Sequence, residues 1–486
     1  MKKRLLGMQA LVVCVMALCV FMPAHAGQWQ QDLRKLLAEA KPAEADIQQV
    51  LGHIPGYDQL IAELQDLPAA HSEQAKGFAL YHHVGIDGIK RPFVVYVPAG
   101  YDPRQAAPLL VYLHGGVGRK DIIAEPLVYA RENPFIAWAE KKTWLMLFPL
   151  GQKGATWWDS VGMGNIEAQV RFVKGAYAVD DNRVSITGFS DGASGSFAMA
   201  LLTPDTFSCF VPLNGHMGVA SIDGGQPCYV ANLRTTPLRV INTDKDPLYP
   251  SRKMHPMVEL AFTAGADLAY KVYYGIGHDF AYHQQEIPFI VDFIDTHPRA
   301  PFPVRLCWEA SRMEHGRRLW LQIDTVRPDQ PKTGWHQEHN LMLTDARVSF
   351  GFFPDDTYTG PGVKIAALAE TEEDTLCTSA GLLPGDIILA ADGIAFADIE
   401  DLSAYKQTKQ RGDRVELAIR RKNEELTLAG AFPPPREYAL FLVEKSGAIQ
   451  AQRFGNQVNL VSSRVSACSL YIHPAMFQLE KPITVV

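Results

Sequence analysis

Three textures of hydrophobic and polar patterning follow one another along the chain. Two early stretches, "WQQDLRKLLAEAKPAEADIQQVLGHI" and "YDQLIAELQDL", carry apolar residues at helical spacing and predict a small helical extension over residues 27–76. From Gly77 to about residue 300 the pattern changes to short continuous apolar runs: "RPFVVYVPAGY", "APLLVYLHGG", "TWLMLFPLG", "RVSITGFS", "FSCFVPLNG", "LRVINTDKD" and "AYKVYYGIGH". Each is followed by Gly, Asn, Asp or His, and amphipathic stretches such as "GNIEAQVRFVKGAYAV" and "MHPMVELAFTAGA" lie between several of them. Strands apolar on both faces, alternating with helices, predict an α/β fold with a mostly parallel sheet covered by helices on both sides. In such sheets the working groups gather at the carboxyl ends of the strands. "THPRAPFPVR" breaks the alternation, and the chain beyond it reads as antiparallel strands over 301–340 and 436–486, a β-subdomain interrupted by a separate module over 341–435.

Composition changes this picture little. Hydrophobic residues make up 47% of the 486 and charged residues 20%, the balance of an ordinary folded protein. The formal net charge of −7, with no basic stripe, excludes nucleic acid as an expected partner. Residues 1–26 read as an export signal: a basic "MKKRLL", an apolar core and "AHA" as a small-x-small cleavage site ending at Ala26. Loss of Lys2, Lys3 and Arg4 with that segment takes the net charge from −7 to −10, and a periplasmic or secreted location follows as an expectation. No later stretch predicts a membrane span. Removal of Cys14 and Cys19 leaves five cysteines, for which Cys209–Cys228 and Cys307–Cys468 are conceivable pairs. None of the cysteines has metal-ligand spacing, and no metal or organic cofactor is expected.

The chemistry centres on "SITGFSDGASGSF". Ser190 sits in Gly188-Phe189-Ser190-Asp191-Gly192, a G-x-S-x-G pattern between a strand and a helix. The glycines permit a sharp turn, and the helix N-terminus favours developing negative charge. Ser194, inside the predicted helix, is the weaker nucleophile candidate. His278, in "YYGIGHDF", follows the last strand of the series and is the expected base. His216 in "NGHMG" is its rival, but it precedes the acid candidates and would invert the Ser, acid, His order. "VINTDKDPLYP" offers Asp246 as the acid, with Asp244 as the alternative or a turn cap. The oxyanion hole is expected from the amides of Gly115 or Gly116, in "LHGGVG", with that of Asp191; His114 reads as a structural hydrogen-bonding residue. Trp157 and Trp158 either line an acyl or aromatic pocket or pack a loop onto the core.

On these residues the region from about Gly77 to Pro298 resembles the α/β-hydrolase superfamily. Within it, "DDNRVSITGFSDGASGSF" and "FPLGQKGATWWD" look like the secreted esterases grouped with polyhydroxybutyrate depolymerases and feruloyl esterases. Asp191 departs from the residue that depolymerase-like members usually carry after the serine. The interrupting module, with "AGLLPGDIILAADG" at its core, is similar to PDZ domains. That resemblance implies a carboxylate-binding loop at Ser349-Phe350-Gly351-Phe352, with Ser in place of the first Gly, and a peptide or protein C-terminus as partner. A spacer or lid is the other use of the same fold.

Together these features predict an exported serine hydrolase that cleaves carboxylic esters through an acyl-enzyme. A peptidase of the same fold and a non-catalytic peptide-binding scaffold are the alternatives.

Overall fold

The computed structural model describes residues 28–38, 43–56, 58–60, 63, 75–345, 348–369 and 375–486; the export-signal segment lies outside them. Eight strands form the central sheet: β1 (Gly77–Val84), β2 (Lys90–Val97), β3 (Ala107–Leu113), β4 (Leu145–Pro149), β5 (Val179–Phe189), β6 (Phe210–Leu213), β7 (Leu238–Thr243) and β8 (Leu268–Tyr273). Their order is β1-β2-β4-β3-β5-β6-β7-β8. The β1–β2 and β2–β4 pairs are antiparallel, and every pair from β4–β3 onward is parallel.

Alternate residues of a strand face opposite sides of a sheet, and here both sets are buried. Val94, Tyr96, Leu110, Tyr112, Met146 and Phe148 share a core with Ile287, Ile290, Val291 and Ile294 of the helix His283–Thr296. Phe93, Val95, Val111 and Leu147, on the other parity, are just as buried. Phe93 meets Phe172 of the helix Ser160–Ala176 edge-on at 5.3 Å. Burial of both parities is the physical reason the strands read as unbroken apolar runs. The fold is the predicted α/β one, a mostly parallel sheet with helical cover.

Residues beyond the sheet build two further β-layers. Arg305–Ala310, Gly447–Phe454, Gln457–Ser463 and Thr484–Val485 form one sheet; Arg317–Arg318, Leu321–Val326 and Val465–Leu470 form the other. Trp308, Trp320, Ile323 and Ile449 lie in their shared core. This layer is bonded to the central domain: the Asn232 side chain pairs with the backbone of Glu309 in both directions (3.0 and 2.8 Å), and Arg318 meets Asp205 at 2.9 Å. The chain thus divides into two compact units, one ending at Asn340 and resuming at Phe441, the other Leu341–Leu440. The second unit has its own core, around Phe350, Ile365, Leu376, Ile388, Leu417 and Phe432, and its sheet begins at the edge strand Phe352–Pro354. The N-terminal helices Gln28–Ala38 and Glu44–His53 pack Trp29, Leu33, Ile47 and Leu51 into a separate small cluster.

The five described cysteines are free thiols, which corrects the two conceivable pairings. Cys307 and Cys468 occupy strands of different sheets, and the Cys307 sulfur accepts a contact from Arg234 Nη1 at 3.5 Å. Cys209 is buried beside Ser185 at 3.5 Å. Among the described residues, no helix is long and apolar enough to cross a membrane.

Candidate active site

β5 delivers Ser190 into a backbone conformation of φ 60°, ψ −120°, which non-glycine residues rarely adopt. Strain of this kind costs about 1–3 kcal/mol and persists only where the surroundings enforce it. They do so here. A β-carbon on Gly188 would lie 2.6 Å from Leu113 O, and one on Gly192 would lie 2.0 Å from the same oxygen, so both flanking positions admit only glycine. The Ser190 amide donates to Leu213 O at 3.0 Å, and the helix Asp191–Leu202 starts at the next residue. The turn has the geometry of a nucleophile elbow.

His278 and Asp246 complete a chain of contacts from Ser190. Ser190 Oγ lies 2.8 Å from His278 Nε2, and His278 Nδ1 lies 2.7 Å from Asp246 Oδ2. The imidazole is held between the rings of Phe189, at 4.9 Å, and Tyr249, at 5.9 Å. Asp246 is buried and its carboxylate accepts four hydrogen bonds. Oδ1 takes the amides of Leu248 and Tyr249 at 2.8 Å each, and Oδ2 takes Asn214 Nδ2 at 2.9 Å besides His278. Burial raises the pKa of this carboxyl, but the four donors outweigh it and hold the pKa below the usual value. Asp244 caps the adjoining turn instead, accepting the Gly275 amide at 2.6 Å.

Asn214 was not legible as a site residue. It follows β6 with φ 53°, a conformation Asn tolerates better than most residues, and its Oδ1 accepts from Tyr282 OH at 2.6 Å. Its Nδ2 is thereby turned toward Asp246 and toward Thr243 Oγ1, 2.6 Å away. The signal available in the sequence was an Asn-Gly pair at a strand end, which reads first as a turn. The neighbouring His216 is engaged elsewhere, and the ring bonded to Ser190 is that of His278. The His216 amide donates to the buried Ser194 Oγ at 3.1 Å, and the His216 Nδ1 accepts from the Gly218 amide at 3.1 Å.

The loop after β3 lies against the nucleophile. A β-carbon on Gly115 would be 3.0 Å from Ser190 Cβ and 3.5 Å from Oγ, so a side chain there would crowd the hydroxyl. Gly116 has φ 74°. The amides of Gly115, Gly116 and Asp191 have no acceptor among the described residues. Two contacts hold this loop. Asp191 Oδ2 accepts the Val117 amide at 2.9 Å, and His114 is bonded through both ring nitrogens. The Gly151 amide donates to His114 Nε2 at 3.0 Å, which leaves Nδ1–H to donate to Gly115 O at 2.7 Å. Burial lowers the His114 pKa and keeps this ring neutral.

Trp157 belongs to the same scaffold. It is 1% exposed, its Nε1–H donates to His114 O at 2.7 Å, and its ring meets that imidazole edge-on at 5.1 Å. Trp158 is also buried, against Gly224. These contacts correct the pocket-lining expectation: both indoles pack the loops onto the core.

In the second unit, Gly351 has φ 88°, and a β-carbon there would lie 2.4 Å from Thr375 Oγ1. Ser349 is exposed, and its Oγ accepts the Gly351 amide at 3.2 Å. Phe350 is a core residue that meets Phe432 edge-on at 5.5 Å. Phe352 begins the edge strand, whose one paired side faces Val363–Leu368.

Comparison with known families places both units. Residues 162–298 match the family described as Phospholipase/Carboxylesterase, and residues 362–429 match the PDZ domain family. The chain carries an α/β-hydrolase domain and a PDZ domain. The hydrolase match spans Ser190, Asp246 and His278 but begins after the Gly115–Gly116 loop; the PDZ match begins after Ser349–Phe352. No curated protein matches the sequence.

Among solved structures, a thermostable esterase aligns at 19% identity and a TM-score of 0.36, over 46% of this chain and 63% of its own. The S-formylglutathione hydrolase FrmB of Staphylococcus aureus aligns at 15% and 0.35, over 46% of this chain and 99% of its own. Thermogutta terrifontis esterase 2 aligns at 13% and 0.38, over 46% and 95%.

Proposed function

We propose that this chain is a serine hydrolase that cleaves carboxylic esters through an acyl-enzyme. The observation that carries this reading is the unbroken relay from Ser190 Oγ through His278 to Asp246, at 2.8 and 2.7 Å, on a backbone strained at the nucleophile.

Ser190 Oγ attacks the ester carbonyl carbon while its proton passes to His278 Nε2. The carbonyl oxygen becomes an oxyanion, for which the unpartnered amides of Asp191 and of Gly115 or Gly116 are the donors. Asp246 accepts from Nδ1–H and stabilises the imidazolium. The C–O bond to the alcohol breaks as His278 returns the proton to the leaving oxygen. Water then adds to the acyl carbon, giving a proton to His278, and Ser190 leaves with that proton as the acid is released. Gly115 is part of this chemistry through its missing side chain, which leaves the hydroxyl open to attack.

The same reading holds that the enzyme is exported to the periplasm or beyond, supported by the basic-then-apolar pattern of residues 1–26. It also holds that the PDZ domain takes an extended peptide on the open edge of Phe352–Pro354.

Labelling of the mature protein with a fluorophosphonate, beside Ser190→Ala, tests the nucleophile. Labelling lost in the variant is expected, and equal labelling of both would overturn the assignment. Matched ester and peptide anilide substrates then decide between esterase and peptidase.

A further inference from the structure

Arg119 is one of a few arginines around the central sheet that meet no carboxylate among the described residues; Arg131, Arg234 and Arg252 are the others. Arg91, Arg183, Arg239, Arg299 and Arg318 each meet a carboxylate. The Arg119 guanidinium is exposed and has neither an ion-pair partner nor a hydrogen-bond acceptor among the described residues. Its main chain is tied down, and its guanidinium lies beside the loop after β3. Its carbonyl accepts the Lys153 amide at 2.7 Å, and its guanidinium lies over Gly116: a β-carbon on that glycine would be 3.6 Å from Nε, 3.7 Å from Cζ and 3.9 Å from Nη2.

Gly115, one residue earlier, faces Ser190 in the same way: a β-carbon on it would lie 3.5 Å from Oγ. Two consecutive glycines therefore carry the nucleophile against one and a free cation against the next. Successive α-carbons are about 3.8 Å apart, which bounds the path from Ser190 Oγ to the guanidinium at about 14 Å. Burial is the main reason that the His114 pKa is low; the Asp191 charge raises it, and the Arg119 charge, a smaller influence, lowers it. The Asp191 carboxylate beside the loop after β3 accepts the Val117 amide, and Asp121 follows Arg119 by two residues. Lys120 and Lys153, both exposed, extend the positive rim. The net negative charge of the whole chain does not cancel this field, because charges more than about 8 Å away are largely screened at physiological salt.

We propose that Arg119 is a specificity residue, and that the substrates of this enzyme are esters bearing a carboxylate, bound by its guanidinium while the ester carbonyl lies at Ser190. The proposal rests on the esterase reading above. A guanidinium suits this task because its planar fork takes both oxygens of a carboxylate and its charge does not titrate. The carboxylate sits either on the acyl portion or on the alcohol.

Two matched pairs of substrates separate those cases: 4-nitrophenyl hydrogen adipate against 4-nitrophenyl hexanoate, and 4-carboxyphenyl acetate against phenyl acetate. The quantity read is the ratio of kcat/KM for the carboxylated ester to that for its neutral partner. Arg119→Gln is expected to lower this ratio at least tenfold in one pair, with Arg119→Lys recovering part of it. A fall in the adipate pair places the carboxylate on the acyl group, and a fall in the acetate pair places it on the alcohol. An unchanged ratio in both pairs, or a wild type that cleaves only the neutral esters, overturns the proposal. A wild type that cleaves none of the four, although it labels with a fluorophosphonate, overturns the esterase reading itself.

Discussion

The carboxylate of Asp191 accepts the Val117 amide at 2.9 Å and so ties the oxyanion loop to the residue that follows the nucleophile. In the proposed mechanism one residue thus offers its own amide to the hole and ties down the loop after β3 with its side chain. Removing an oxyanion donor outright costs about a hundredfold to a thousandfold in kcat, and misplacing one costs less. Asp191→Ala is expected to lower kcat about tenfold or more with little change in KM, and Asp191→Asn, which keeps an acceptor oxygen, to recover most of that loss. Steady-state kinetics on a neutral ester checks both.

Asn214 donates to the same Asp246 oxygen, Oδ2, that His278 meets. Its φ of 53° makes alanine a poor test, because backbone strain would be added to the lost amide. Asn214→Gly tolerates the backbone and removes the donor, together with the acceptor of Tyr282 OH. The expected result is about a tenfold fall in kcat and a rise in the Asp246 pKa. The acid limb of the activity profile and NMR titration of the carboxyl read these effects separately.

Ser190 stores strain that glycine does not feel. Ser190→Gly is expected to abolish fluorophosphonate labelling and to raise stability by about 1 kcal/mol, measured by urea unfolding. A destabilised variant would show that the elbow is not strained.

His114 is buried and its folded-state pKa is lowered, chiefly by that burial. The unfolded chain therefore takes up a proton more readily. Stability contributed by this site is complete above the ordinary histidine pKa of about 6.5, and it falls as the pH drops below that value toward the folded pKa. The slope from one such group is at most about 1.4 kcal/mol per pH unit. His114→Gln is expected to be less stable than wild type at pH 8, with the gap narrowing below pH 6.5. Denaturant titrations across that range measure it.

Trp157 lies against His114 on the protein side of the oxyanion loop. Trp157→Phe keeps most of the packing but leaves the buried His114 carbonyl without a donor, which costs about 1–3 kcal/mol. Lower thermal stability is expected, with the relative kcat/KM of short and long acyl esters unchanged. A shift in that acyl-chain preference would return Trp157 to the substrate pocket.

What the sequence determined by itself was local. Gly188 and Gly192 flank Ser190 because each is the only residue that fits where β3 passes, and such sterics leave a readable trace within five residues. Burial on both sheet faces likewise appears directly as unbroken apolar runs. The serine, the histidine after the last strand and the acid before it could therefore be named from spacing.

Tertiary structure decided what depends on which strand ends lie side by side. The order β5-β6-β7-β8 brings Asn214 against Asp246, and no pattern within either segment states that neighbourhood. Only the three-dimensional path of the loops turns Trp157 inward, leaves Cys307 and Cys468 in different sheets and aims the Asp191 carboxylate at Val117. A side chain's residue type sets the contacts open to it, but its partner is set by backbone segments tens of residues away, whose closure is driven by burial of the whole core.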